Sequence, residues 1–283
     1  MKKYLLSSWL KISGIIAASS IAYQNNELVI ISDNSNAIYT YFIKNDSLTS
    51  LLVEGSNLND TLDKKVKFDL ESLYVTNDTI FTFGSGSKLN RSKGFLQIPS
   101  SNMVQTIDLT YLYQEMKQFS SLDDKNFNIE GVTKYKNEWI FLNRGNGPKK
   151  ANYLFFVQGK NLTDEFNLFY YKFKLPNINN AASGFSDGYV LNNTLYFIAT
   201  AEDEASTYHD GEIKGTLFGA IDLKKMKLLY TEKISDTNKF EGLSLMENNN
   251  KELIFALCED PDNSQLKEGV IYKLKIDLKK KTK

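Results

Sequence analysis

The chain is poor in the residue types that staple or activate many proteins. A single cysteine, Cys258, stands among 283 residues. No internal disulfide can form, so the fold rests on packing. The cysteine lies in the apolar run LIFALCE, where a lone thiol reads as a small buried hydrophobe. With one histidine, His209, no zinc-ligand spacing exists, and neither a serine-nucleophile motif nor a complete phosphate-binding P-loop is present. No uncharged run reaches the roughly 18 residues of a membrane-spanning helix. Neither charge sign is in excess: 34 basic and 34 acidic residues cancel. This balance argues against nucleic acid or an anionic membrane as a partner. Only four prolines occur. The 34 basic residues include just two arginines, Arg91 and Arg144.

Aromatic residues are plentiful. Sixteen tyrosines and eighteen phenylalanines suit strands, and 42% hydrophobic content is enough to bury a core. Four short acidic phrases recur, each followed by a strand-like run. They are FDLESLYV from Phe68, FNIEGVTKY from Phe127, GFSDGYVL from Gly184 and KFEGLSLM from Lys239. Their acids, Glu71, Glu130, Asp187 and Glu241, are 59, 57 and 54 residues apart. A repeat of this period built only from strands predicts radial repetition of small sheets. The expected fold is all-β, a five-bladed β-propeller forming a single domain over 1–283. Its blades cover roughly 13–60, 66–120, 126–176, 183–236 and 238–280, with one helical insert, TYLYQEMKQFSSL. Asn77-Asp78, Lys136-Asn137 and Asn192-Asn193 suit hairpin turns.

The fifth repeat is one strand short, and a surplus strand over 3–11 precedes the first. Pairing the two closes the ring and leaves no open sheet edge between the chain ends. The segment MKKYLLSSWLKISGIIAASSIA also has the form of a signal peptide, but Lys11 interrupts its apolar stretch. Residues 14–33 align instead with the first two strands of a repeat, with Ser19 at the acid position. The strand reading is preferred, and with it a cytoplasmic location over export.

In a propeller the first strand of each blade lines the central channel, so equivalent positions face one another. Glu71, Glu130, Asp187 and Glu241 are thereby expected near one channel mouth. Crowded carboxylates need a cation or an arginine, or some stay protonated. Ca2+ accepts such oxygen ligands, so these four are the candidate metal ligands. The alternative is that each acid only holds blades in register. Arg91, after GSGSKLN, and Arg144, in FLNRGNG, follow inner strands on the same side. Planar bidentate hydrogen bonding explains arginine in a lysine-rich chain. Their partners are ring carboxylates or an anionic ligand. The loop Glu202–Gly215 carries His209-Asp210, and Asp33, Asp203 and Glu259 end second strands near one face; both read as a metal site or as a polar rim.

The succession of E-S-L, E-G-V, S-D-G and E-G-L, with the arginine-bearing turns, resembles bacterial β-propeller families of uncharacterised function. More distantly it is similar to calcium-activated nucleotidases of the apyrase type and to phytase-like propellers. That resemblance implies a central Ca2+, with Glu71, Glu130, Asp187 and Glu241 as channel groups and Arg91 and Arg144 facing phosphate. Two functions compete. One is a binding propeller that presents one face to a small anionic ligand or a protein partner, with Ca2+ in an acid-lined channel. The other is a Ca2+-dependent phosphoanhydride or phosphoester hydrolase, with Glu130, Glu71, Arg144 and Arg91 as its catalytic set. Glycoside hydrolysis needs a carboxylate pair about 5–9 Å apart. No sugar-stacking tryptophan accompanies such a pair, since Trp9 and Trp139 fall within strands.

Overall fold

A computed structural model of the chain describes residues 3–15, 17–54, 65–145, 147–150, 152–203, 211–249, 251–261 and 268–278. The first strand is β1 (Tyr4–Ser13). Blade one follows with β2 (Ala18–Gln24), β3 (Glu27–Ser32), β4 (Ala37–Phe42) and β5 (Ser47–Leu52). Blade two holds β6 (Leu70–Thr76), β7 (Thr79–Gly84), β8 (Lys93–Ile98) and β9 (Met103–Asp108), then helix α1 (Thr110–Ser120). Blade three is β10 (Ile129–Tyr135), β11 (Glu138–Asn143), β12 (Asn152–Gly159) and β13 (Phe166–Phe173). Blade four is β14 (Ser183–Leu191), β15 (Thr194–Glu202), β16 (Ile213–Asp222) and β17 (Lys227–Ser235). Blade five has β18 (Phe240–Asn248), β19 (Glu252–Glu259) and β20 (Glu268–Asp277).

These strands make five four-stranded sheets, arranged as a five-bladed β-propeller. The last sheet runs β1-β20-β19-β18, so the N-terminal strand closes it. β1 pairs antiparallel with β20 from Tyr4↔Ile276 to Ser13↔Glu268. The segment weighed as a leader thus supplies the outer strand of blade five and most of the inner strand of blade one.

Burial follows strand position. The inner strand β10 is almost wholly buried, whereas the outer strands β13 and β17 alternate between shielded and exposed residues. Such alternation marks a sheet edge with one wet face. The core consists of the packing between adjacent blades. Phe83, Phe141 and Phe155 join blades two and three, and α1 adds Leu112, Tyr113 and Met116 there. Phe185 and Phe197 pack blade four on Leu142 and Leu154 of blade three. Phe218 meets Phe255 between blades four and five. Ile271 and Cys258 pack on Ile21 and Ile30 between blades five and one. Cys258 is fully buried, and its thiol donates to the Ala18 carbonyl at 3.4 Å. The hairpin tips take the left-handed backbone that Asn tolerates: Asn77 has φ 48° and Asn192 φ 57°.

Candidate functional site

Every inner strand carries a bulge at the same place, and β18 has a second register shift at Leu245/Glu247. The register slips at Ala18/Ser20, Leu70/Ser72, Ile129/Gly131, Phe185/Asp187 and Phe240/Gly242. A bulge inserts an unpaired residue and re-aims its side chain. The bulged residues are Ser19, Glu71, Glu130, Ser186 and Glu241. Three of the four predicted acids therefore occupy equivalent positions. In blade four Ser186 takes that position, and its hydroxyl pairs with the Thr200 hydroxyl at 2.9 Å.

Asp187 falls one residue further on, equivalent to Gly131 and Gly242. It lines the opposite end of the channel with Tyr189 and Ser244, away from the three glutamates. One Asp187 oxygen accepts from the Leu243 amide at 2.9 Å and the Ser20 hydroxyl at 3.3 Å, the other from the Gly188 amide. Burial pushes its carboxyl well above the usual range. The glycine of the E-G phrases now has a cause. A Cβ on Gly131 would stand 2.9 Å from the Asp187 Cα, and one on Gly242 2.6 Å from the Cys258 sulfur.

The three glutamates line a cavity of about 350 Å3 at one mouth of the channel, with both arginines. Arg144 is 4% exposed and lies at the centre of this mouth. Its guanidinium reaches Glu202 at 3.1 Å, Glu130 at 3.3 Å and Glu241 at 3.4 Å. Lys239 meets Asp260 at 3.0 Å, Glu241 at 3.1 Å and Glu202 at 3.4 Å. On the other side, Lys67 bridges Asp33 at 2.6 Å and Asp69 at 2.8 Å. Arg91, on a short 3-10 turn after β7, donates to Asp69 at 2.7 Å and to the Ser87 hydroxyl at 2.9 Å. The two arginines share the mouth without sharing an equivalent position, since Arg144 directly follows β11.

Glu71 differs from its two counterparts. Among the described residues it has no ion pair and no hydrogen bond. Burial, and then the charges of Glu130, Asp69, Asp33 and Glu241, push its carboxyl well above the usual range. Burial also raises Glu130 and Glu241, against the opposing pull of Arg144 and Lys239. Burial acts the same way on Glu202, but Arg144 and Lys239 overcome it and hold that carboxyl below its ordinary value. Asp33, Asp69 and Glu71 each offer a carboxylate oxygen, all within 4.8 Å of one another, so they could hold a metal ion. Asp33 Oδ1 is buried without a hydrogen-bond partner among the described residues.

Several groups of this mouth were not singled out from sequence: Lys67, Asp69, Asn128 and Lys239, whereas Asp260, read from sequence with Glu259 and Asp262 as a metal site or polar rim, does line it. A signal for three of them was present. Side chains two apart on a strand share a face, so Asp69, Asn128 and Lys239 stand with the glutamate two residues on. Asn128 indeed donates to the Glu130 carboxylate. Asp33 lies in the mouth, and Glu259 bonds outside it to Asn238 and Tyr272. Asp203 meets Lys214 at 3.4 Å. Glu204, His209, Asp210 and Asp262 lie outside the described residues.

A model of a family of unknown function, DUF6929, matches residues 14–276. The chain belongs to DUF6929. No curated protein matches this family member. Among solved structures it is similar to a luciferin-regenerating enzyme, at 10% identity and TM-score 0.52, over 96% of this chain and 95% of that one. It is also similar to the glutaminyl cyclase of Myxococcus xanthus, at 8% identity and TM-score 0.55, over 98% of both chains. The Malassezia sympodialis allergen Mala s 1 matches at 10% identity and TM-score 0.54, over 93% of this chain and 95% of that one. At such identities these likenesses show the fold alone.

Proposed function

We propose that the charged mouth is a binding site for a small anionic ligand, which it takes up together with a Ca2+ held by Asp33, Asp69 and Glu71. The observation that carries this reading is Glu71. Four neighbouring carboxylates repel its charge, and no cation among the described residues is within ion-pair distance. The donor set is all oxygen, without nitrogen or sulfur, which suits a hard cation. The buried Asp33 Oδ1 supplies a further free acceptor. A bound divalent cation would balance the surplus negative charge and offer open coordination positions to an anion. Arg91 lines the same cavity beside the triad. Arg144, buried and shared among three glutamates, positions those carboxylates.

Melting curves with Ca2+, with Mg2+ and with chelator test the reading. Ca2+ at a hundredfold excess over its dissociation constant stabilises the protein by about 2.7 kcal/mol, and Glu71→Gln loses that gain. An unchanged transition in millimolar Ca2+, with metal-free purified protein, would remove it.

Hydrolysis of a phosphoanhydride or phosphoester is the second reading. Glu130 favours it: its carboxyl, raised by burial and paired with Arg144, suits proton transfer to or from a bound water. Phosphate release from ADP, ATP or phytate that disappears with chelator and in Glu130→Gln supports hydrolysis. Absence of turnover across that panel leaves the binding function, with a protein partner on the same face as the remaining alternative.

A further inference from the structure

The seam between blades one and two differs from the other four at one position. In each blade the second residue of the second strand pairs with a residue of the third strand. That third-strand residue is Tyr41, Val157, Ile221 or Ile276 in blades one, three, four and five, all buried. In blade two it is Gln97, opposite Ile80. Gln97 is 5% exposed. Among the described residues its amide makes no hydrogen bond, and its Oε1 is buried. Tyr41 carries a polar tip as well, but that hydroxyl donates to Asp46 at 2.6 Å. A buried amide without a partner is costly. We infer that this seam is a binding cleft for a small neutral molecule with an apolar body and an amide edge, recognised by Gln97.

Gln97 lines a cavity of about 570 Å3 between the two blades. That volume is ordinary for a small-molecule pocket. Gln97 faces blade one, as does Phe95 two residues before it, which packs on Val29 and Ile38. The inner walls are short side chains: Val29, Ile38 and Leu51 from blade one, Val75 and Ile80 from blade two. Ile80 takes the place that Trp139 has in blade three. There the indole fills the seam against Tyr74, Phe81 and Phe83. Here the space of a ring stays open, and an amide stands on its wall. Exposed tip residues such as Asn25 and Asn77 form the rim.

A primary amide offers one acceptor and two donors. Its closest match is a second amide with N–H and C=O side by side, which donates to Oε1 and accepts from Nε2. Among the described residues no lysine or arginine lines the cleft, and its two acids, Glu27 and Asp78, lie beside the hairpin tips. An anion therefore finds no countercharge. An ammonium would give up its hydration for a single amide oxygen, a cost that a neutral amide avoids. The aliphatic walls match an apolar body.

Caprolactam carries such an amide edge on an apolar ring. N-methylcaprolactam lacks the N–H, and azepane carries an ammonium on a ring of the same size. Each is titrated at millimolar concentration into isotope-labelled protein and followed by NMR. The side-chain amide signals that vanish in Gln97→Leu belong to Gln97. Caprolactam should shift them saturably, whereas N-methylcaprolactam and azepane should bind at least about tenfold more weakly, the loss of one hydrogen bond to a buried acceptor. Gln97→Leu, read on the Ile80 backbone amide, should weaken caprolactam as much, yet melt no lower than wild type, since the other blades are apolar or aromatic there. Thr40→Phe, which narrows the cleft from blade one, should abolish binding with Gln97 still in place. Unmoved Gln97 signals, equal binding of N-methylcaprolactam, tighter binding of azepane, or undiminished affinity in Gln97→Leu or in Thr40→Phe each overturns the inference. A marked loss of stability in Gln97→Leu would also overturn it, by making the amide a structural support. So would a titration abolished by chelator, which places the ligand at the charged mouth.

Discussion

The two mouths of one channel are made from opposite ends of the same five strands, yet they differ in nearly every physical respect. At the bulged ends, carboxylates outnumber cations and each buried cation is shared among several acids. At the far ends Lys134 lies over the Trp139 ring, and burial raises the Asp187 carboxyl well above its usual range. The bulge makes the difference, because it re-aims one side chain per blade toward the mouth. Where the next residue is glycine, the neighbouring blade closes against it. Asp187 fills the space beside Gly131 and separates the two ends.

Removing the shared cation should disturb the charged mouth most. Arg144→Met leaves Glu130, Glu202 and Glu241 short of compensation, and a broken buried pair costs about 3–5 kcal/mol. Denaturant unfolding should show that loss, with Arg144→Lys intermediate. The boundary between the mouths comes second. Gly131→Ala forces a methyl to 2.9 Å from the Asp187 Cα, an overpacking worth about 1–3 kcal/mol. Equal stability to wild type would mean that the blades yield there more readily than the close approach suggests.

The third prediction concerns pH. Glu71, Glu241 and Asp187 hold their protons in the folded state at pH values where the unfolded chain releases them. The folded state then binds more protons, so stability falls as pH rises from the ordinary carboxylate range of about 4.3 toward the raised folded values. Without Ca2+, Glu71→Gln should flatten this fall and melt higher than wild type at pH 8, with little difference at pH 4. Ca2+ should reverse the order at pH 8, because a ligand carboxyl must lose its proton to bind. A steeper fall in the variant would contradict the repulsion assigned to Glu71. The smallest effect belongs to the far mouth. Lys134→Met forfeits a cation–π contact of about 0.5–1 kcal/mol, so its melting transition should shift little. A large loss would show that Lys134 is a structural support.

Much of the fold was legible because its cues are local. Alternating apolar residues, Asn-bearing tips and a recurrent acidic phrase mark blades without reference to distant contacts. The closing strand was legible from counting, since blade five lacks one strand and the N-terminus has one to spare. Blade four shows where such reading stops. S-D-G looks like E-G with its acid displaced by one, and a one-residue step on a strand turns a side chain to another side. Only the bulge between Phe185 and Asp187 reveals that Ser186 takes the equivalent position.

By itself, then, the sequence determined the propeller, its blade number, its closure, and the presence of Glu71, Glu130 and Glu241 at one end. These follow from periodicity within each blade and similarity between blades. The tertiary structure alone decided how the charges pair: Arg144 with Glu241 across 97 residues, Lys239 with Asp260, and Glu71 with no cation among the described residues. Ion pairing depends on distances of a few ångströms across a closed ring, and those distances exist only once five blades have packed together.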